Sequence, residues 1–235
     1  MIGRGEQMNF IFVRLICLAV GYLFGMFETA YFVGKAYGVD IRQKGSGNTG
    51  TTNTLRVLGK KAGLLVFLGD IFKTIFAVII CYFIFREQFP DKIYLVKLYA
   101  GFGSILGHNF PFYLKFKGGK GIASMAGLIL SFHWMFIPVA FVLFFATFAL
   151  TNYVSLGSLI MAAGFFGQTV IMGCLGLFKG YGGVEIPGPV LYEMYALTFI
   201  IMAMGFIHHM ENIKKLIRGE ERKTYLFKKN KEEIK

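Results

Sequence analysis

Long apolar runs separated by short polar stretches constrain the fold of this chain more than any other feature of its sequence. A transmembrane helix needs about 20 mostly apolar residues. Such runs make the chain 55% hydrophobic, against roughly 45–50% for soluble domains. We therefore predict an all-α membrane protein with about seven transmembrane helices, forming one integral-membrane domain over residues 1–235. The candidate spans are 9–33, 63–85, 94–107, 122–133, 135–150, 154–178 and 190–207.

The apolar stretch 122–150 is long enough to form either one tilted helix or two shorter ones. His133 and Trp134 lie near its middle, and both residue types are common where a membrane meets water. Pro138 follows closely and also disfavours a continuous helix. We therefore expect a break near residue 134.

Several charged residues fall inside the predicted spans and need partners or an interfacial position, because an unpaired charge in a bilayer is costly. Arg14 and Glu28 lie in the first span. Asp70 and Lys73 lie three residues apart in the second span, so they share one helix face. We predict that Asp70 and Lys73 neutralise each other close to the functional site.

Lysine and arginine are distributed unevenly between the connecting segments. Most of the 25 occur in 34–62, 108–121 and the tail after residue 208, whereas 86–93 and 179–189 hold few. Positive loops stay in the cytoplasm, so we expect an external N-terminus and a cytoplasmic C-terminus. Six spans would separate the basic tail from the 34–62 loop, so the charge pattern favours seven. The last residues, 224–235, are predicted to form a mobile basic tail.

The net charge of +12 does not indicate nucleic-acid binding here. The cations separate apolar runs, and no recognition-helix or zinc-finger motif is present. The cysteines Cys17, Cys81 and Cys174 have neither metal-binding nor redox spacing, so we expect buried, unreactive thiols. The sequence indicates no metal, no cofactor and no obligate protein partner.

The segment Gly45–Asn53, followed by Arg56, is the first of four polar motifs. Small residues allow the backbone to approach a ligand, and successive turn N–H groups can form an anion-binding concavity. A helix that begins near Asn53 would add its N-terminal N–H groups. The alternative is a flexible loop. The candidate phosphate ligands are Ser46, Gly47, Asn48, Asn53 and Arg56.

The second motif joins Gly107-His108-Asn109 to the glycine- and lysine-rich segment 116–121. Its glycines and lysines are typical of phosphate binding, although the spacing differs from the Walker pattern. The lysines could also be simple markers of a cytoplasmic loop. The candidates here are His108, Lys117, Gly118, Gly119 and Lys120.

Two further motifs occur near the C-terminal half of the chain. Ser155 lies in the polar stretch 151–158, where serine often only bonds to the helix backbone. His209 and Asn212 are three residues apart on one helix face. His209 is a candidate general base, the alternative being an ordinary interfacial histidine. All four motifs fall on the predicted cytoplasmic face, which favours a single site.

The order and spacing of these motifs resemble those of a known family, the bacterial integral-membrane glycerol-3-phosphate acyltransferases that use acyl-phosphate as donor. The similarity extends from about Leu18 to Lys223. It is carried by 45–56, by 107–121, by His209-x-x-Asn212-Ile213 with Gly219 and Glu221, and by Tyr153-Val154-Ser155 with Ser158.

The resemblance implies acyl transfer from acyl-phosphate to the sn-1 hydroxyl of glycerol-3-phosphate, giving lysophosphatidic acid and phosphate. It also implies seven helices with an external N-terminus and a membrane-lipid environment. In this interpretation Arg56 and either Lys117 or Lys120 bind phosphates. Ser46, Ser155 and Asn212 hold substrate oxygens, and His209 orients or deprotonates the hydroxyl. The rival interpretation is a transporter of a phosphorylated solute, which the absence of an internal repeat disfavours.

Overall fold

The computed structural model describes residues 8–225, and this part of the chain is helical with no β-strand. Residues 226–235 of the predicted tail lie outside it. Ten α-helices follow one another: α1 Phe10–Gly25, α2 Thr29–Ala36, α3 Thr51–Leu58, α4 Lys60–Phe85, α5 Ile93–Asn109, α6 Ile122–Phe132, α7 Phe136–Thr151, α8 Val154–Cys174, α9 Gly188–His208 and α10 Met210–Ile217.

Within residues 8–225, four helical segments are long and apolar enough to cross a membrane, namely Phe10–Ala36, α4, α8 and α9. Helices α6 and α7 are shorter apolar helices. Large apolar side chains point outward from both the long and the shorter apolar helices, such as Phe83 on α4 (58% exposed) and Leu150 on α7 (85% exposed). A soluble protein rarely exposes so much apolar surface, so this exterior fits a lipid environment.

The first predicted span, 9–33, lies within the candidate span Phe10–Ala36, but the helix is interrupted between α1 and α2. Glu28 has a non-helical backbone (φ −79°, ψ 89°). The Tyr113 hydroxyl donates to the Met26 carbonyl at 2.8 Å and accepts from the Glu28 N–H at 3.3 Å. These bonds from a distant side chain replace those that a continuous helix would have made.

The predicted break in 122–150 is confirmed. Helix α6 ends at Phe132, and His133 is extended (φ −157°, ψ 136°). The ring Nδ1 of His133 accepts from the Met135 N–H at 3.2 Å, which stabilises the start of α7.

Helices α1 and α5 cross at glycines and lie in very close contact. A Cβ added to Gly21 would be 2.0 Å from the Ala100 carbonyl oxygen, and one added to Gly25 would be 2.1 Å from that of Ser104. On the opposite helix, a Cβ on Gly103 or Gly107 would lie 2.3 Å from a carbonyl oxygen of α1. Small residues at such crossings let helix backbones approach each other.

Arg14, Asp70 and Lys73 are paired inside the spans, as predicted. Arg14 forms a two-pronged salt bridge with Glu193 at 2.6 Å, which joins α1 to α9. Lys73 and Asp70 form a buried ion pair at 2.9 Å.

The expectation of buried thiols holds for Cys17 and Cys81 but is wrong for Cys174, which is exposed. Cys174 is the last residue of α8, and the chain turns away at Gly176, whose φ of 64° suits glycine.

Candidate active site

The two glycine-rich segments meet beside the C-terminal end of α5. Gly118 and Gly119 donate their N–H groups to the carbonyl oxygens of Asn109 and His108, both at 3.1 Å. A Cβ on Gly119 would lie 2.1 Å from His108 Nε2 and 3.0 Å from the Thr49 carbonyl oxygen. The glycines therefore allow close packing, and their N–H groups are hydrogen-bonded to carbonyl groups of the protein itself.

Asn53 organises the first glycine-rich segment from inside. Its Nδ2 donates to the carbonyl oxygens of Ile41, Lys44 and Asn48 at 3.0–3.2 Å. Its Oδ1 accepts from the Ser46 N–H at 2.9 Å. The side chain is only 3% exposed. Asn53 therefore shapes the loop, and its polar atoms are engaged there.

The loop leaves Ser46 and Asn48 at its outer side and leads directly into α3. Ser46 is exposed and Asn48 is half-buried. Helix α3 begins at Thr51, close to the predicted start, and Gly50 provides no side-chain cap for it. Its first N–H groups therefore receive no side-chain cap, and an uncapped helix N-terminus favours an anion.

Arg56 extends from the last turn of α3 to the C-terminal segment 219–225. Its guanidinium donates to Thr224 Oγ1 at 3.1 Å. The Thr224 N–H in turn donates to the Asn152 carbonyl oxygen at 2.9 Å, beside the start of α8. The C-terminal segment thereby links the first polar motif to the third.

Lys120, Asn212, Glu221 and Ser155 form a continuous chain of hydrogen bonds. Lys120 Nζ donates to Asn212 Oδ1. Asn212 Nδ2 and Ser155 Oγ both donate to Glu221 Oε1 at 2.7 Å. Burial lowers the pKa of Lys120, an effect that the Glu221 carboxylate opposes and the nearby cations of Lys215 and Arg56 reinforce.

His209 lies between α9 and α10 and is 3% exposed. Its Nδ1 is 2.7 Å from the Gly205 carbonyl oxygen. Because a carbonyl can only accept, Nδ1 carries the proton, and in the neutral ring Nε2 has the free lone pair. Burial, assisted by the positive charge of Lys120, lowers the pKa of His209 to about 4. The ring is therefore a neutral acceptor at pH 7.

His108 is buried beneath the glycine loop, in a cluster of ionisable groups. Its Nδ1 is 2.9 Å from Lys73 Nζ and 3.1 Å from Glu28 Oε1. Asp70 lies 3.8 Å away. The structure thus surrounds this predicted phosphate ligand with protein groups. Within residues 8–225, no group of three acidic, histidine or cysteine side chains is arranged to hold a metal ion.

The predicted site residues therefore divide into two sets. Ser155, His209, Asn212, Lys120 and Arg56 are brought together, with Ser46, Gly47 and Asn48 on the neighbouring loop. Lys117 is exposed, and no described residue forms an ion pair with it.

The roles of Glu221, Thr224 and Glu28 were missed by our sequence reasoning. Glu221 belongs to the fourth motif, with His209 and Asn212, but the turn at Gly219 (φ 71°) that returns it to Asn212 is not evident from spacing alone.

An apolar groove of about 540 Å³ lies between α1 and α4. Aromatic and aliphatic side chains line it together with Lys73, which also belongs to the buried cluster. These apolar residues are Leu23, Phe24, Phe27, Phe72 and Phe76. The groove thus extends from the buried cluster along the exposed apolar surface of α1 and α4.

Comparison with known proteins gives a consistent result over nearly the whole chain. The model of the glycerol-3-phosphate acyltransferase family matches residues 15–219. A glycerol-3-phosphate acyltransferase of Clostridioides difficile (strain 630) is 37% identical over 218 residues, covering 91% of this chain and 96% of the relative. One from Mycoplasmopsis synoviae (strain 53) is 35% identical over 219 residues, covering 91% and 95%.

Two solved structures are also similar to this chain. Both are of PlsY (YgiH), an integral membrane glycerol 3-phosphate acyltransferase, and each is 30% identical in sequence. The glycerol 3-phosphate form has a TM-score of 0.73 and covers 92% of this chain and 99% of that one. The lysophosphatidic acid form has a TM-score of 0.71, covering 90% and 95%.

Proposed function

This chain belongs to the glycerol-3-phosphate acyltransferase family, and from that premise we propose that it acylates glycerol-3-phosphate at a membrane. The observation that carries the proposal is the convergence of Lys120, Asn212, Ser155, His209 and Arg56 on one polar site. Cations, hydroxyl and amide groups there suit a phosphorylated polyol.

For the finer chemistry, we propose that the donor is acyl-phosphate and the acceptor is the sn-1 hydroxyl. The hydroxyl oxygen attacks the acyl carbonyl carbon, the bond from that carbon to the phosphate oxygen breaks, and phosphate leaves. The products are lysophosphatidic acid and inorganic phosphate. A mixed anhydride already has a good leaving group, so the protein mainly has to align the reactants, and alignment can contribute about 7–11 kcal/mol.

Arg56 and Lys120 would neutralise the two substrate phosphates, through charge-assisted hydrogen bonds. Ser46, Asn48 and the start of α3 would hold phosphate oxygens on the loop side. Ser155 and Asn212 would hold oxygens on the opposite side. With its Nδ1 proton fixed by Gly205, His209 presents Nε2 to the attacking hydroxyl.

His209 accepts a hydrogen bond from the hydroxyl in this scheme and orients it towards the carbonyl carbon. A pKa of about 4 makes the ring a weak base, since effective general bases have a pKa near the working pH. A phosphate oxygen of the substrates is a stronger base, with a pKa of about 6. We therefore assign the final proton transfer to phosphate.

The apolar groove beside Lys73 is our proposed position for the acyl chain. A chain lying between α1 and α4 would remain among lipid-facing side chains while its phosphate end reaches the polar site. The same scheme requires the polar site to lie on the cytoplasmic face, with seven membrane crossings and an external N-terminus.

A direct assay tests the function. Purified protein is given palmitoyl-phosphate and glycerol-3-phosphate, and phosphate release and lysophosphatidic acid formation are measured. We expect one phosphate per lysophosphatidic acid. Palmitoyl-CoA as the donor is the comparison arm: product from palmitoyl-CoA alone would reject the acyl-phosphate donor, whereas no product from either donor, with folded protein, would reject the acyltransferase.

A further inference from the structure

Four ionisable side chains are buried together beneath the two glycine-rich segments, and the proposed mechanism uses none of their charges. Their exposed fractions are 0% for Glu28, 1% for Asp70, 3% for His108 and 6% for Lys73. Burying charges is costly even when they are paired. The ion pair of Asp70 with Lys73 would by itself neutralise the charges on α4. The burial of Glu28 and His108 beside that pair therefore requires an explanation.

Lys73 joins three separate parts of the fold. Its Nζ donates to the Phe27 carbonyl at the α1–α2 break (2.8 Å) and lies 2.9 Å from Asp70 Oδ1. It also lies 2.9 Å from His108 Nδ1 at the end of α5. Thr29 Oγ1 completes this arrangement by donating to Asp70 Oδ1 at 2.9 Å. The ammonium therefore fixes α2, α4 and α5 relative to one another.

His108 transmits this arrangement to the glycine loop. One ring nitrogen, Nδ1, faces Lys73 and Glu28. The other, Nε2, packs so closely on Gly119 that a Cβ there would be 2.1 Å away. The backbone oxygen of His108 also accepts from the Gly119 N–H. Any shift of the imidazole would move Gly119, and Lys120 is the next residue.

Glu28 completes the cluster from the helix break. Its Oε1 is 3.1 Å from His108 Nδ1, yet neither carboxylate oxygen has a hydrogen-bond partner among the described residues. A buried carboxylate is attracted strongly to a nearby cation, because the low dielectric strengthens the interaction. Glu28 thus attracts the Lys73 ammonium from the side of His108 that faces away from the loop.

We propose that Lys73 and Glu28 are positioning residues for Lys120, acting through His108 and the glycine loop. This inference rests on the proposed function, because it assigns Lys120 a substrate phosphate. The buried charges then hold the loop at a fixed depth, so that the Lys120 ammonium meets both Asn212 and the phosphate. Misplacement of a reacting group by about 1 Å can reduce the rate roughly 100-fold.

The test is a double-mutant cycle between Lys73→Met and Lys120→Met. Lys97→Met is the matched control, since Lys97 is a half-buried lysine that, like Lys73, donates to a backbone carbonyl, that of Phe132, at 2.9 Å. The melting temperature, kcat and the KM of each substrate are measured for every variant. Contacting or networked residues deviate from additivity, whereas distant ones add.

We expect Lys73→Met to reduce kcat/KM about 10- to 100-fold and to have little further effect once Lys120 is methionine. Lys97→Met should stay near wild type and add independently. Additive losses from Lys73→Met and Lys120→Met would overturn the inference. So would a stable Lys73→Met variant with wild-type kinetics.

Glu28→Gln supplies a second variant if Lys73→Met does not fold, because it keeps the side-chain shape and removes the charge. It should show the same non-additivity with Lys120→Met, and additive behaviour would again overturn the inference. Failure of the proposed function itself is distinguishable, because wild-type protein would then release no phosphate from palmitoyl-phosphate.

Discussion

Lys120 is the residue whose ionisation should control the pH dependence of the site. Burial lowers its pKa below the usual 10.5, and Lys215 and Arg56 add to that effect. Its ammonium is needed to neutralise phosphate, so activity should persist below the pKa of Lys120 and decline as pH rises through it. Lys120→Arg keeps its charge throughout this range, so the alkaline decline should move to higher pH.

The measurement is kcat/KM between pH 7 and 10.5, corrected for spontaneous hydrolysis of the donor. Lys117→Arg is the control, because Lys117 is exposed and its replacement should leave the profile unchanged. An alkaline limb at the same pH in Lys120→Arg and wild type would remove Lys120 from this role.

Residue types and spacing predicted which side chains would gather, but not what each one does there. The positions of Asn53 and His108 in polar motifs predict that both are phosphate ligands. The structure uses Asn53 Nδ2 for three carbonyl groups and buries His108 against Lys73. The direction of a side chain depends on tertiary packing, which a motif in a single sequence does not specify.

At the scale of elements, the loop 117–121 depends on glycines that have no space for a side chain. Gly119→Ala would place a methyl carbon 2.1 Å from His108 Nε2, so the loop must shift. We expect a loss of activity of about 10- to 100-fold, the range expected for a displaced binding group, together with a lower melting temperature.

Gly167→Ala on α8 is the matched control, because no atom lies within 4 Å of the added carbon. Alanine should even favour that helix slightly, by up to about 1 kcal/mol. Equal activity in the two alanine variants would contradict the packing role of Gly119.

The groove between α1 and α4 predicts a dependence on acyl-chain length. Leu23→Trp adds bulk to the groove wall and should displace the end of a long chain. Losing the burial of about two methylenes, near 0.8 kcal/mol each, predicts a decrease of roughly tenfold in kcat/KM with palmitoyl-phosphate. Octanoyl-phosphate should be affected much less.

Leu150→Trp serves as the control for this experiment, since Leu150 is 85% exposed on α7 and does not line the groove. The same decrease for both chain lengths in Leu23→Trp would assign the acyl chain to another surface.

The helices themselves were largely predictable from apolar runs, with α5, α6 and α7 found near their expected bounds. The break between α1 and α2 was not, because it depends on hydrogen bonds from Tyr113, 85 residues away from Glu28. The α1–α5 crossing had a visible signal, since Gly21/Gly25 and Gly103/Gly107 are both spaced four apart. That spacing permits close helix packing but does not identify the partner helix.

For the whole molecule, the proposed topology places the polar site and the 133–134 turn on opposite sides of the membrane. Single cysteines at exposed positions, in a Cys174→Ser background, test this with a membrane-impermeant maleimide on intact cells. We expect external labelling of Trp134→Cys and Glu87→Cys. Labelling only after permeabilisation is expected for Ser46→Cys, Lys117→Cys and Met210→Cys.

Mixed labelling within the second set would separate the glycine loops from α10 across the bilayer, which contradicts a shared site. The all-helical architecture with long apolar helices was predictable, because apolar runs act over the whole chain. The Lys120–Asn212–Glu221–Ser155 chain was not, since it depends on contacts between residues up to 92 positions apart.

The shortness of α6 has an energetic consequence for substrate entry. Its 11 residues rise only about 16 Å, roughly half the thickness of a bilayer's hydrocarbon core. In the proposed topology one end of α6 must therefore lie below the lipid surface, and we place the loop before it in such a depression. The acyl chain of the donor can remain among the lipid chains of the bilayer while its phosphate group reaches that depression. Lifting such a tail into water would cost about 0.8 kcal/mol for every methylene.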